Sequence, residues 1–195
     1  AASNGYYEIA EMLCKKGINI EYRDRIYKED ALTHAIFNQQ VEVLKVLIKY
    51  GANVNTKNKY NSPAGLKCLL GMSTNYENPD KVEKRNKCFD ILLKSGLDLN
   101  IPVKQNEDSY LVSAAYCGDE KLVEMLINVT DEVGINFYNK ETKFTALDMA
   151  LNMRTDYPDV PNPFEVFSQT KKRIIQKLRN AGAKTYDELK AEGKI

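Results

Sequence analysis

The chain has no tryptophan, one histidine, four cysteines and six prolines in 195 residues. A single imidazole leaves little room for acid–base catalysis: His34 would have to work without a second histidine, and no local pattern sets a serine or cysteine beside it. Cys14, Cys68, Cys88 and Cys117 form no C-x-x-C pair, so neither a disulfide framework nor a short-spaced zinc site is expected. No apolar run reaches the ~18 residues needed to cross a bilayer. An excess of one charge is missing too. The 28 Lys and Arg are balanced by 27 Asp and Glu, which removes the basic footprint of a general nucleic-acid binder. No glycine-rich phosphate loop is present, and no cofactor is implied. What remains, 43% hydrophobic and 28% charged residues, suits a folded chain with a real core.

That hydrophobicity is arranged as an internal repeat. Glu8-Ile-Ala-Glu-Met-Leu-Cys-Lys-Lys-Gly17 recurs as Glu42-Val-Leu-Lys-Val-Leu-Ile-Lys-Tyr-Gly51 and as Lys87-Cys-Phe-Asp-Ile-Leu-Leu-Lys-Ser-Gly96. Looser copies run through Lys121-Leu-Val-Glu-Met-Leu-Ile127 to Gly134, and through Arg173-Ile-Ile-Gln-Lys-Leu-Arg179 to Gly182. In the first three copies, positions eight, seven, five, four and three before the glycine are apolar, which places them on one face of a helix. Each glycine then reads as a left-handed cap just past the helix end. The intervals between glycines are 34, 45, 38 and 48, as expected of one unit carrying loop insertions.

A second block precedes each helix. Thr145-Ala-Leu-Asp-Met-Ala150, Asp30-Ala-Leu-Thr-His-Ala35 and Ser109-Tyr-Leu-Val-Ser-Ala-Ala-Tyr-Cys-Gly118 share a leucine and alanines at fixed offsets, and Ser62-Pro63 is a weaker relic. With both blocks in hand the chain resembles an ankyrin-repeat protein, over nearly its whole length. The resemblance implies an all-α solenoid of stacked helix-turn-helix units with β-hairpin-like fingers. One departure is consistent: the family signature T-P-L-H-x-A has no histidine at its fourth position in any copy, so other groups must supply its hydrogen bonds.

The expected layout is a single repeat domain over 1–195. It has a partial repeat at 1–24, full repeats at about 25–57, 58–102, 103–139 and 140–184, and a C-terminal capping helix at 185–192 opened by the capping-box pattern Thr185-Tyr-Asp-Glu188. Helix pairs are expected at 31–38/41–50, 63–70/85–95, 109–117/119–129 and 145–154/166–181, after a first helix at 8–16. Fingers fall near 18–29, 52–62, 97–108 and 135–144. Asn-, Asp- and Pro-rich stretches at 71–83 and 155–165 read as loops. Because Ala1–Gly5 aligns with Ala114–Gly118, the chain is expected to start inside a repeat, as a piece of a longer protein.

Proteins of this family bind partners with finger tips and the outward positions of first helices. The resemblance therefore selects Tyr22, Arg23, Arg25, Tyr27, His34, Phe37, Asn38, Lys57, Lys59, Tyr60, Lys104, Gln105, Tyr116, Tyr138, Lys140 and Lys143, with Cys117 and Asn152 beside them. Tyrosine gives large contact area at low entropic cost. The basic residues suit a partner carrying an acidic segment, though Asp24, Glu29, Glu107, Asp108 and Glu141 dilute that field. The expectation is a non-catalytic, monomeric protein-interaction module with no metal site, no nucleic-acid partner and no membrane insertion. The rival is a repeat segment of a larger enzyme or membrane protein whose activity lies in a missing N-terminal part. The setting stays open between the cytoplasm and a secreted or periplasmic location.

Overall fold

The computed structural model describes residues 1–70, 79–99, 108–152 and 163–195. The chain divides into two compact units, Ala1–Ile101 and Pro102–Ile195. Among the described residues all regular structure is helical, and the fold is the all-α repeat class expected from sequence.

In the first unit, a 3-10 turn at Ala2–Asn4 leads into α1 (Tyr7–Lys15), α2 (Ala31–Phe37) and α3 (Val41–Lys49). A second 3-10 turn, Ala64–Leu66, runs into a short α4 (Lys67–Leu70), followed by α5 (Pro79–Lys94). The second unit holds α6 (Tyr110–Cys117), α7 (Glu120–Ile127), α8 (Glu132–Ile135), α9 (Ala146–Leu151), α10 (Pro163–Asn180) and α11 (Tyr186–Ala191). Within each unit, first helices pack on neighbouring first helices (α2 on α4, α6 on α9). Second helices pack on second helices (α1 on α3, α3 on α5, α7 on α10).

This stacking buries the apolar stripe. Eight residues before the glycine lie Val43, Cys88 and Ile174, all 0% exposed, whereas the equivalent Ile9 in α1 is 45% exposed. One turn later Leu47, Leu92 and Leu178 are buried as well. The polar flanks are zipped by charge: Glu11 of α1 meets Lys49 of α3 at 3.0 Å, and Glu120 and Glu124 of α7 meet Arg173 and Lys177 of α10 at 2.7 and 3.3 Å. Arg173 thus serves as a strut between helices.

Several boundaries differ from expectation. The helix expected at 85–95 begins at Pro79, and the one expected at 166–181 begins at Pro163. In both, proline occupies the first helical position, where its missing N–H costs nothing. The loops expected at 71–83 and 155–165 are therefore shorter at their C-terminal ends, and residues 71–78 and 153–162 lie outside the described part. Gly17, Gly51, Gly96 and Gly182 take the left-handed conformation expected of caps, with φ between 75° and 90°. Gly134 does not. It sits inside α8, whose N-terminus is capped by Asp131, which accepts the Gly134 N–H at 2.8 Å. A side chain at 134 would also strike Thr130 Cγ2, since a Cβ there would lie 2.5 Å away. The fourth copy therefore ends α7 at Ile127 without a glycine cap and inserts a short helix.

At the C-terminus the capping box read from Thr185-Tyr-Asp-Glu188 is formed on both sides: Thr185 Oγ1 accepts the Glu188 N–H and Glu188 accepts the Thr185 N–H. Arg179 of α10 grips Glu188 through two bonds of 2.7 and 2.9 Å. That guanidinium, with the Thr185 N–H, holds the Glu188 carboxyl down to about 2.

Two predictions arise from this packing. Leu44→Ala, at a side chain 0% exposed, should destabilise the protein by about 3 kcal/mol in a urea titration. Glu188 has a folded pKa below its unfolded value of roughly 4.3, so its contribution is complete above that value and is lost as pH falls through about 2. Glu188→Gln should therefore be less stable than the parent at pH 6 and converge with it near pH 2, measured by thermal melts.

Candidate partner-binding surface

The fingers are turns stitched by asparagine or aspartate side chains. Asn58 Oδ1 accepts the N–H groups of Tyr60 and Ser62, at 2.9 and 3.1 Å. Asn139 Oδ1 accepts those of Glu141 and Thr142, at 2.8 and 2.9 Å. In the first finger Asp24 does the same for Ile26 and Tyr27, at 2.8 and 2.7 Å. Such side chains satisfy their own backbone two or three residues on, which is why they mark turns. Two fingers each close through an isolated bridge, Lys57 with Pro63 and Tyr138 with Thr145, and no strand forms among the described residues.

The same asparagines couple neighbouring repeats. Asn58 Nδ2 donates to Glu29 at 3.3 Å, and Asn139 Nδ2 donates to Asp108 at 2.6 Å. Thr145 Oγ1 adds a bond to the Lys184 carbonyl at 2.8 Å. Because the asparagine bonds engage Glu29 and Asp108, the expected dilution of the basic field by these two acids is corrected: both are buried and turned inward. Asp24 is likewise drawn in by the N–H groups of Tyr27, Ile26 and Glu29, which hold its carboxyl below the usual range.

Most of the residues selected from sequence can now be placed. In the first unit, Tyr22, Arg25 and Phe37 are exposed. Lys59 Nζ lies between two rings, 4.9 Å from the centre of Tyr27 and 5.0 Å from that of Tyr60. Arg23 reaches into the next finger, donating to the Lys57 carbonyl at 2.8 Å and to Thr56 Oγ1 at 3.0 Å. His34 is half-buried with Nε2 3.4 Å from Asp24, and Asn38 is tied back to the His34 carbonyl at 2.8 Å. The fingers thus bring Arg23, Tyr27, Lys57, Lys59 and Tyr60 together, while Asn38 is occupied as a helix end.

In the second unit, Tyr116, Lys140 and Lys143 are exposed. Tyr138 packs edge-on against Tyr186, with ring centres 5.3 Å apart. Asn152 bonds the Asp148 carbonyl at 2.8 Å, and Cys117 is half-buried. Lys104 and Gln105 lie outside the described residues. An open groove of about 570 Å³ runs between the last finger and α11, with Phe137, Tyr138, Lys140 and Leu189 among its lining.

One residue was missed from sequence. Lys67, at the start of α4, pairs with buried Glu29 at 2.8 Å and lies 5.3 Å from the Phe37 ring centre. It is an ordinary lysine at the start of a helix, in the weakest copy of the repeat, so nothing in the pattern marks it. Among the described residues no helix is long and apolar enough to cross a membrane.

Residues 1–58 match the family model for ankyrin repeats in three copies. The chain carries ankyrin repeats. It is 32% identical over 126 residues to the ankyrin repeat and KH domain-containing protein mask-1 of Caenorhabditis elegans, covering 64% of this chain and 4% of that protein. It is 33% identical over 103 residues to an ankyrin repeat and KH domain-containing protein of Caenorhabditis briggsae, covering 52% of this chain and 4% of that protein. Ankyrin repeats are in general protein–protein interaction modules.

Asn139 is 0% exposed and serves a turn and a repeat-to-repeat bond at once. Asn139→Ala should cost about 2 kcal/mol in chemical denaturation, because Asp108 and two backbone N–H groups lose their partner.

Proposed function

We propose that this chain binds a protein partner bearing an acidic segment, through the first two fingers and the outward side of α2 in its first unit. The observation that carries the reading is an asymmetry in how charges are engaged there. Every acid from residue 18 to 30 is held by the protein itself. Glu21 accepts the Asn53 N–H, Asp24 and Asp30 accept backbone N–H groups of their own turns, and Glu29 pairs with Lys67. The cations are not neutralised: among the described residues the side chains of Arg25, Lys28 and Lys57 meet no carboxylate, and Lys59 meets only tyrosine rings. A surface neutral by count is thus basic and aromatic in what it offers. Exposed Tyr22, Ile26, Tyr27, Phe37 and Tyr60, at 50–67%, supply apolar contact area between those charges.

The mechanism is rigid display. Asn58 and Asp24 fix the turns, Arg23 links the two fingers, and the partner meets side chains whose positions are already set, which lowers the ordering cost of binding. A wider surface including Lys104, Gln105, Tyr116, Lys140 and Lys143 belongs to the same reading. A second reading makes the repeats one segment of a larger protein whose activity lies elsewhere, and the 4% coverage of its relatives favours it.

The test uses fluorescence anisotropy with labelled peptides rich in Asp and Glu and carrying one aromatic residue. The chain should bind them in a salt-dependent manner, and replacing Phe37, Lys57 and Tyr60 together by alanine should weaken binding about a hundredfold. Equal binding by the triple variant, or equal binding of uncharged peptides, would overturn the reading.

A further inference from the structure

We propose that Asp24, Glu29 and His34 form a site for a divalent transition-metal ion, with zinc the best match. The three residues come from two elements, the first finger and α2. Their donor atoms (a carboxylate oxygen from each acid and a ring nitrogen of His34) all lie within 4.8 Å of one another. Asp24 Oδ2 and His34 Nε2 are 3.4 Å apart. Two ligands at about 2.1 Å from one tetrahedral ion stand about 3.4 Å apart, so this pair already has the separation a bound ion requires.

The donors are held in place by contacts that leave coordinating capacity. Asp24 Oδ1 is fixed by the Ile26 and Tyr27 N–H groups, and Oδ2 takes only the longer Glu29 N–H bond of 3.1 Å besides His34. Glu29 is 8% exposed, and its Oε1 receives both Lys67 and Asn58. Its second oxygen receives no hydrogen bond from a described residue and is left available to coordinate. His34 stands on a helix with its ring part-exposed, 39% at the side chain, which leaves solvent a path to the site. The other fingertips set this one apart. Asn58 and Asn139 do the turn-forming work of Asp24 with neutral amides, so the turn itself does not need a charge at 24.

Donor chemistry selects the metal. One imidazole with two carboxylates suits zinc and its neighbours, whereas calcium and magnesium prefer oxygen alone. Lys67 beside Glu29 leaves the two carboxylates with one uncompensated negative charge, so affinity is held down by a neighbouring cation. The ligands are spaced 24, 29 and 34 across a loop and a helix, wider than the short pairs by which zinc sites are found in sequence. This is why the expectation of no metal site passed over them.

The test is a zinc titration of the whole chain, followed by NMR on the ring protons of its only histidine and by calorimetry. His34 signals should shift to saturation at micromolar zinc, with one site per chain. Asp24→Asn and His34→Ala should weaken that binding at least about thirtyfold. Lys67→Met, which removes the competing cation, should tighten it about tenfold. A purely structural Asp24–His34 contact gives no reason for that gain. Circular dichroism checks the fold of each variant, and should His34→Ala fail to fold, the parent titration and Lys67→Met still decide. His34 signals unmoved at millimolar zinc, Asp24→Asn binding like the parent, or Lys67→Met binding no tighter would overturn the site. None of these readouts involves a protein partner, so the partner-binding reading stands or falls separately.

Discussion

No helix pair in this protein can bury its apolar surface by itself. Each second helix carries a stripe wide enough to need neighbours on both flanks, and the contrast between Val43 at 0% exposure and Ile9 at 45% shows what a neighbour supplies. Everything else in each unit serves that constraint. The first helices bring small residues, Ala35, Ala114, Ala115, Ala146 and Ala150, so that adjacent pairs approach closely. The ion pairs from α1 to α3 and from α7 to α10 line up surfaces that the stripe has already brought together. They are partly exposed and add register more than stability.

A stack held by apolar faces leaves its turns free to vary, and it is the turns that carry the recognition chemistry. Each must still satisfy its own backbone, and in the three described fingers one short amide or carboxylate does so. At Asn58 and Asn139 the second half of the amide reaches the acid of the preceding repeat, which ties neighbouring repeats together. At Asp24 the second half is a charged oxygen facing His34 and Glu29. The same turn geometry with one atom changed thus converts a structural tie into a cluster of donors.

The glycine register, the helix pairs and the terminal capping box were legible because each rests on local spacing: a cap after a fixed number of residues, a face every three or four. Gly134 misled for the same reason. A glycine at a plausible interval looks like a cap, but α7 had already ended at Ile127 and Asp131 started a new turn. The early starts of α5 and α10 were hidden by prolines that read as loop residues but occupy the first helical position. Tyr27, Lys59 and Tyr60 were recognisable as finger residues, yet their arrangement around one ammonium group depends on two fingers meeting, which no local pattern encodes.

The sequence alone determined the repeat, its class and the residues that fingers and first helices present, because helix periodicity and turn chemistry are properties of neighbours along the chain. Only the tertiary structure decided which charges remain available. Composition counts Glu29, Asp24 and Lys67 as three charges of a nearly neutral protein. Folding buries the first, fixes the second on backbone N–H groups and sets the third between Glu29 and the Phe37 ring. Charge balance is a sum over the chain, whereas the field a partner or an ion meets depends on distance and burial, and those are fixed when the repeats pack.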